Sequence, residues 1–174
     1  MRILKSKTNI LLLLFILLCG CGSQWQRYNN KEYNFSILLP RSWEKEEGAL
    51  KSVVMSVEPE QGKRQPKARA NMNVFVTELP GEIGLDIIFE LNKEELSKSG
   101  VSNYNFTEGE IYAGSLAGKW LSFEGQMRDS RLKILSAIWV KGRRIYTVTC
   151  SSPADEFPRY ASIFNKSMRS LRVK

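Results

Sequence analysis

Apolar and polar residues along this 174-residue chain fall into three regimes. The first is an unbroken apolar run over residues 10–18, preceded by the basic residues Arg2, Lys5 and Lys7. A bilayer span needs about 20 apolar residues, so this run is too short to cross and reads as the core of an export signal. The second regime is alternation with a period of two, which predicts strands over residues 33–39, 53–57, 71–79, 104–113, 118–127, 132–140 and 143–151. Pro40 and the Pro80-Gly81 pair end two of them, and Lys141-Gly142 joins the last two as a tight hairpin. The third regime is helical. Leu85, Ile88, Phe89 and Leu96 predict a helix ending near Gly100, with Asp86 in its first turn, where the helix dipole favours an acid. Phe157, Tyr160, Ala161, Phe164, Met168 and Leu171 predict a second, preceded by a short turn because Pro158 argues against a helix continuous from Ser152.

The strand at 132–140 carries more information than the others. Leu132, Ile134, Ile138 and Val140 line one face, while Leu135, Ala137 and Trp139 line the other. A strand apolar on both faces must be covered on both, so helices are expected on both sides of the sheet. Between strands, residues 58–69 hold two prolines, a glycine and four basic residues and read as an exposed loop. The expected class is α+β, an α/β/α sandwich around an antiparallel sheet of about six to seven strands.

Composition changes the picture by exclusion. The chain has no histidine, which removes Ser-His-Asp and Cys-His nucleophiles and nearly every usual zinc site. A 43% apolar and 25% charged composition is globular rather than disordered. Lys and Arg number 26 against 18 acids, a formal charge of +8. Removing the first twenty residues takes three basic residues with it and leaves +5.

The sequence Leu18-Cys19-Gly20-Cys21 after the apolar run resembles the lipobox of bacterial lipoproteins. The resemblance implies cleavage before Cys21, a diacylglyceryl thioether on its sulfur and acylation of the new N-terminus. Cys19 has only Leu17-Leu18 before it, which makes Cys21 the better acceptor. The organisation expected is a signal peptide at 1–20, a lipidated tether at 21–32 and one domain at 33–174. Gly22, where aspartate would favour inner-membrane retention, leans toward the outer membrane if the cell is Gram-negative. Cys150 would then be the one thiol left, with no partner for an intrachain disulfide.

Two further segments carry a second likeness. YNNKEYNFSILLPRSW (28–43) resembles the opening strand and turn of PsbP-type domains, and GRRIYTVTCSSP (142–153), followed by Phe157, Phe164 and Ser170-Leu171, resembles their closing hairpin strand and helix. AGKWL (117–121) fits the family's central strand loosely. The likeness covers about residues 28–173. It implies the α/β/α sandwich shared by photosystem II PsbP proteins, their lipid-anchored cyanobacterial relatives, a Ran-binding nuclear transport factor and many bacterial lipoproteins. Members are generally accessory or binding proteins. Where PsbP proteins bind metals they do so partly through histidine, which this chain lacks.

The expectation is therefore a non-enzymatic accessory or binding module of the cell envelope, with no cofactor and no metal. Its partners are the membrane, through lipid on Cys21, and an unidentified envelope protein, but not nucleic acid. Lys63, Arg64, Lys67, Arg69, Arg143 and Arg144 are candidates for a basic surface toward anionic lipid or an acidic partner, against the simpler reading of solvated loops. Lys141 and the tail residues Lys166, Arg169, Arg172 and Lys174 extend that set. Carboxylate groups such as Glu108 with Glu110, or Glu44, Glu46 and Glu47, are more simply surface charge than acid/base pairs. Cys150 reads as a buried core thiol. The four tryptophans, Trp25, Trp43, Trp120 and Trp139, read as core or linker anchors. The alternatives are a carrier holding a small apolar ligand or lipid between sheet and helix, or a photosystem-associated extrinsic protein if the source is photosynthetic.

Overall fold

Residues 24–60, 68–98, 106–127 and 130–174 are described by the computed structural model. The elements run β1 (Trp25–Asn30), β2 (Phe35–Pro40), β3 (Glu44–Glu47), a 3-10 turn (Ala49–Lys51), β4 (Val54–Val57), β5 (Asn71–Glu78) and α1 (Leu85–Lys98). They continue with β6 (Thr107–Ala113), β7 (Leu116–Met127), β8 (Ser130–Lys141), β9 (Arg144–Pro153), α2 (Phe157–Arg169) and β10 (Arg172–Val173). Seven strands form an antiparallel sheet in the order β3-β4-β5-β9-β8-β7-β6, and β1, β2 and β10 form a second, three-stranded sheet.

The two-faced pattern of β8 is satisfied as its sequence requires. On one face, Leu135, Ala137 and Trp139 sit opposite Cys150, Val148 and Tyr146 of β9, which in turn sit opposite Met72, Val74 and Val76 of β5. This face is closed by Tyr160, Phe164 and Met168 of α2 and by Phe35, Ile37 and Leu39 of β2. On the other face, Ile138 with Leu121 and Phe123 of β7 packs against Ile88 and Phe89 of α1. Full burial stabilises each such side chain by roughly 1.5–3 kcal/mol, so α2, with three of them, is held mainly by packing. α1 buries less. It is tied down at its edges by Lys119 to Asp86 (2.5 Å) and Lys93 to Glu108 (2.8 Å), exposed pairs worth about 0–1 kcal/mol each.

Four expectations are corrected. Trp25–Asn30, expected to be tether, is β1, paired with β2 along its whole length from Trp25 opposite Pro40 to Asn30 opposite Phe35. The described fold therefore includes residues ahead of the expected start at 33, from Trp25 onward. Its polar residues face outward from an edge strand, while Tyr28 is buried and contacts Phe35 at a ring separation of 5.9 Å. Second, Glu44–Glu47 forms β3, a wholly exposed edge strand whose charges hide it from any apolar count and suit an edge that must not pair further. Third, Ser152-Pro153-Ala154-Asp155 has the residues of a helix cap, but Ser152 caps no helix. It lies fully buried in β9, and α2 starts at Phe157 with Pro158 in its first turn, where the missing N–H costs nothing. The β8–β9 loop is Gly142-Arg143, one residue later than expected, with Gly142 at φ 56° as the primed turn demands.

Candidate functional site

The described residues hold the sequence candidates in separate places. Cys21, Lys63, Arg64 and Lys67 lie outside the described residues. Arg69 stands just ahead of β5 and pairs with Glu44 at 3.2 Å, while a second bond from its guanidinium reaches the carbonyl of Glu58 at 3.3 Å. Arg144 sits opposite Glu78 at the far end of β5 and pairs with it at 2.9 Å. An eight-residue strand spans about 25 Å, so these two guanidinium groups do not share a patch. Arg143 donates its Nε–H to the carbonyl of Leu79 at 3.0 Å. The three described members of the expected basic surface are thus each engaged locally, with Arg69 at one end of β5 and Arg143 and Arg144 together at the other.

The groups that would carry catalysis are occupied or unreactive. Burial pushes the Cys150 thiol well above its ordinary value, the opposite of what a nucleophile needs. Glu108 is paired with Lys93, and Glu110 accepts a hydrogen bond from the Tyr112 hydroxyl at 3.2 Å. No three of His, Cys, Asp and Glu gather as metal ligands among the described residues. Of the tryptophans, Trp139 is fully buried and Trp43 nearly so, whereas Trp25 and Trp120 are half-buried and line two surface depressions.

Burial of the Cys150 thiol makes stability depend on pH at the alkaline end. Above the ordinary thiol value of 9.0 the unfolded chain gives up the proton that the folded chain keeps, so stability falls as pH rises. Tyr160, raised by burial and by the adjacent Glu58 carboxylate, adds a second loss above 10.0. The expected loss from the thiol is about 1.4 kcal/mol per pH unit past its unfolded value. Urea midpoints followed across that range should fall for the wild type and stay flat for Cys150→Ala until tyrosine ionisation begins.

Sequence reasoning missed a polar node beneath α2. The Tyr160 hydroxyl donates to Glu58, and Arg159 lies 3.6 Å from the same carboxylate. The partners are 102 positions apart, so no local signal announces them. The node joins the end of β4 to α2 and steadies the aromatic cluster in which Tyr160 and Phe164 meet Trp43 edge-on at 6.1 and 6.3 Å.

Among the depressions of the described surface, two border α2. A cleft of about 320 Å³ opens between the sheet and α2, floored by Ile111, Trp120, Leu135, Phe157 and Met168, with Lys133 and Arg169 at its rim. Lys133 Nζ lies 5.3 Å from the Phe157 ring centroid. A groove of about 630 Å³ lies at the start of the fold, between Trp25, the 40–43 turn and Ile163 of α2.

No family model matches the chain, and no curated protein matches it in sequence. Solved structures do match. Cyanobacterial PsbP (CyanoP) from Synechocystis sp. PCC 6803 superposes with a TM-score of 0.64 at 15% identity, covering 91% of this chain and 99% of that one. The Saccharomyces cerevisiae Ran-binding protein Mog1p superposes with a TM-score of 0.56 at 11% identity, covering 87% and 96%. The fold is that of PsbP and Mog1. LpqN, involved in cell envelope biogenesis of Mycobacterium tuberculosis, shares this PsbP-like fold with a TM-score of 0.69 at 9% identity, covering 87% and 91%. At these identities the likeness is one of architecture. The PsbP-like scaffold places α2 and the three-stranded sheet on one side of the large sheet and α1 on the other, leaving both depressions on the α2 side.

Proposed function

We propose that this chain is a bacterial lipoprotein, anchored through Cys21, whose PsbP-like domain serves as a non-enzymatic binding or accessory module of the cell envelope. The observation that carries it is the start of the fold. Gln24 is already hydrogen-bonded into the domain, its carbonyl accepting from the Arg41 N–H at 2.9 Å, only three residues past the lipobox cysteine. Engaged carboxylates, a buried thiol and a core packed on both sheet faces support a module that binds rather than converts. LpqN's part in envelope biogenesis and Mog1p's binding of Ran accord with that class of role. No helix among the described residues is long and apolar enough to cross a membrane, so on this proposal attachment falls to the lipid.

A second reading, a carrier of a small apolar ligand, rests on the cleft between sheet and α2. One experiment addresses both. The protein purified from native membranes should show the added mass of the diacylglyceryl and acyl groups on the Cys21 peptide. Cys21→Ser should leave the membrane fraction or accumulate as uncleaved precursor. Fractionation like the wild type would overturn the anchor. A stoichiometric small molecule retained under native ionisation would favour the carrier, and a bare domain the protein-binding module.

A further inference from the structure

We propose that the groove at the Gln24–Trp25 end of the fold is a membrane-docking face, seated on the bilayer that holds the Cys21 lipid, with its cations against anionic phospholipid headgroups. This rests on the anchored reading above and adds an orientation to it. Two residues, Gly22 and Ser23, separate Cys21 from Gln24, a reach of about 10 Å even when fully extended. Gln24 is pinned to Arg41, so the groove cannot stand farther from the lipid attachment point than that tether allows.

The chemistry of the face suits a headgroup layer. Its floor is apolar, made by Trp25, Pro40, Trp43 and Ile163. Its rim is basic: Arg41 is exposed, and Lys166 Nζ lies 4.5 Å from the Trp25 ring centroid. Neither cation meets an acid among the described residues. The neighbouring acids are already matched, Glu44 with Arg69 and Glu58 with Arg159 and Tyr160. Glu46 and Glu47 lie further along β3, where Lys45 leans over the Tyr28 ring at 5.4 Å. A half-buried indole flanked by lysine and arginine is the pairing that settles at a membrane interface, its ring among headgroups and its cations on phosphates. Docked this way, β1 and β2 rise from the surface for about 20 Å and carry the β8–β9 hairpin to the opposite end.

The test uses the lipidated full chain in vesicles containing one-third phosphatidylglycerol. A polarity-sensitive fluorophore is attached at Ser42→Cys in the groove or at Lys141→Cys on the far hairpin, Cys150 being fully buried and unreactive. The expected result is a blue shift, and quenching by headgroup-labelled lipid, at position 42 and neither at 141. Reversing both rim charges, Arg41→Glu with Lys166→Glu, should weaken docking at least tenfold, since each basic residue at an anionic surface contributes on the order of fivefold. Equal signals at the two positions, or unchanged signals after charge reversal, would overturn the docking face while leaving the anchor intact. A chain that carries no lipid and does not sediment with the vesicles would overturn the anchor and the docking face together.

Discussion

Replacing Phe164 by alanine is expected to lower the unfolding free energy by about 3–5 kcal/mol, the range for an aromatic deleted from a packed core. Phe164 is fully buried in α2, stacked on Tyr160 at 6.0 Å and tilted against Phe157 at 5.6 Å, with Trp43 edge-on. The ring is therefore the meeting point of α2 with the turn after β2. Its neighbours cannot collapse into the vacated space without giving up their own contacts. Equilibrium urea unfolding should show a reduced midpoint with an unchanged slope, whereas Leu50→Ala, at a residue 78% exposed, should move the midpoint little. Parity between the two variants would mean that α2 is not part of the cooperative core.

The second large effect is expected where backbone, not side chain, fills the space. Gly118 in β7 lies opposite Trp139 of β8. A Cβ at this position would press on Trp139 Cδ1 and stand 2.5 Å from its Nε1 and 2.6 Å from the carbonyl oxygen of Ile138. A backbone oxygen within a sheet cannot retreat, and Trp139, with no exposed surface, has nowhere to turn. Gly118→Ala should destabilise by about 3 kcal/mol, the upper end of overpacking costs. Trp139→Phe removes an indole N–H that finds no partner among the described residues, so it should cost less than its lost area suggests. In a double-mutant cycle the two changes should fall short of additive, although the Ile138 carbonyl oxygen, 2.6 Å from the added Cβ, keeps part of the alanine's cost whatever stands at position 139. Additive losses would place the strain of Gly118→Ala elsewhere than on Trp139.

These two sites show where the sequence was legible. Phe164 announces itself through helical spacing with Tyr160, Ala161 and Met168, because a helix that buries one stripe must repeat its apolar residues at 3.6. The layers of the sandwich were equally open, since Leu135, Ala137 and Trp139 on one face of β8 and Ile134 and Ile138 on the other admit only a sheet covered twice. Gly118, by contrast, looks like any strand glycine until the register sets it opposite Trp139. Strand β1 escaped for a related reason. Gln26, Arg27 and Asn29 carry no period-two signal, and the strand exists because the outward edge of β2 offers it a partner.

The candidate sites divide in the same way. The expected export signal, the proposed lipid acceptor Cys21 and the absence of imidazole chemistry are read from short contiguous stretches or from composition, and no fold is needed to read them. So are the strand and helix alternations, because local periodicity is all they require. Whether charges gather is a different kind of fact. Lys63 to Arg69 and Arg143-Arg144 appear as one basic set along the chain, yet Arg69 and Arg144 stand at opposite ends of β5, each beside its own glutamate. Arg41, which the sequence does not single out, and Lys166 of the tail set, 125 positions away, flank Trp25 instead. Local order follows from nearest-neighbour sterics and periodic burial, which the sequence states by itself. A surface is made by contacts between residues more than a hundred positions apart, and only the register of β1 on β2 and the seating of α2 decided which ones meet.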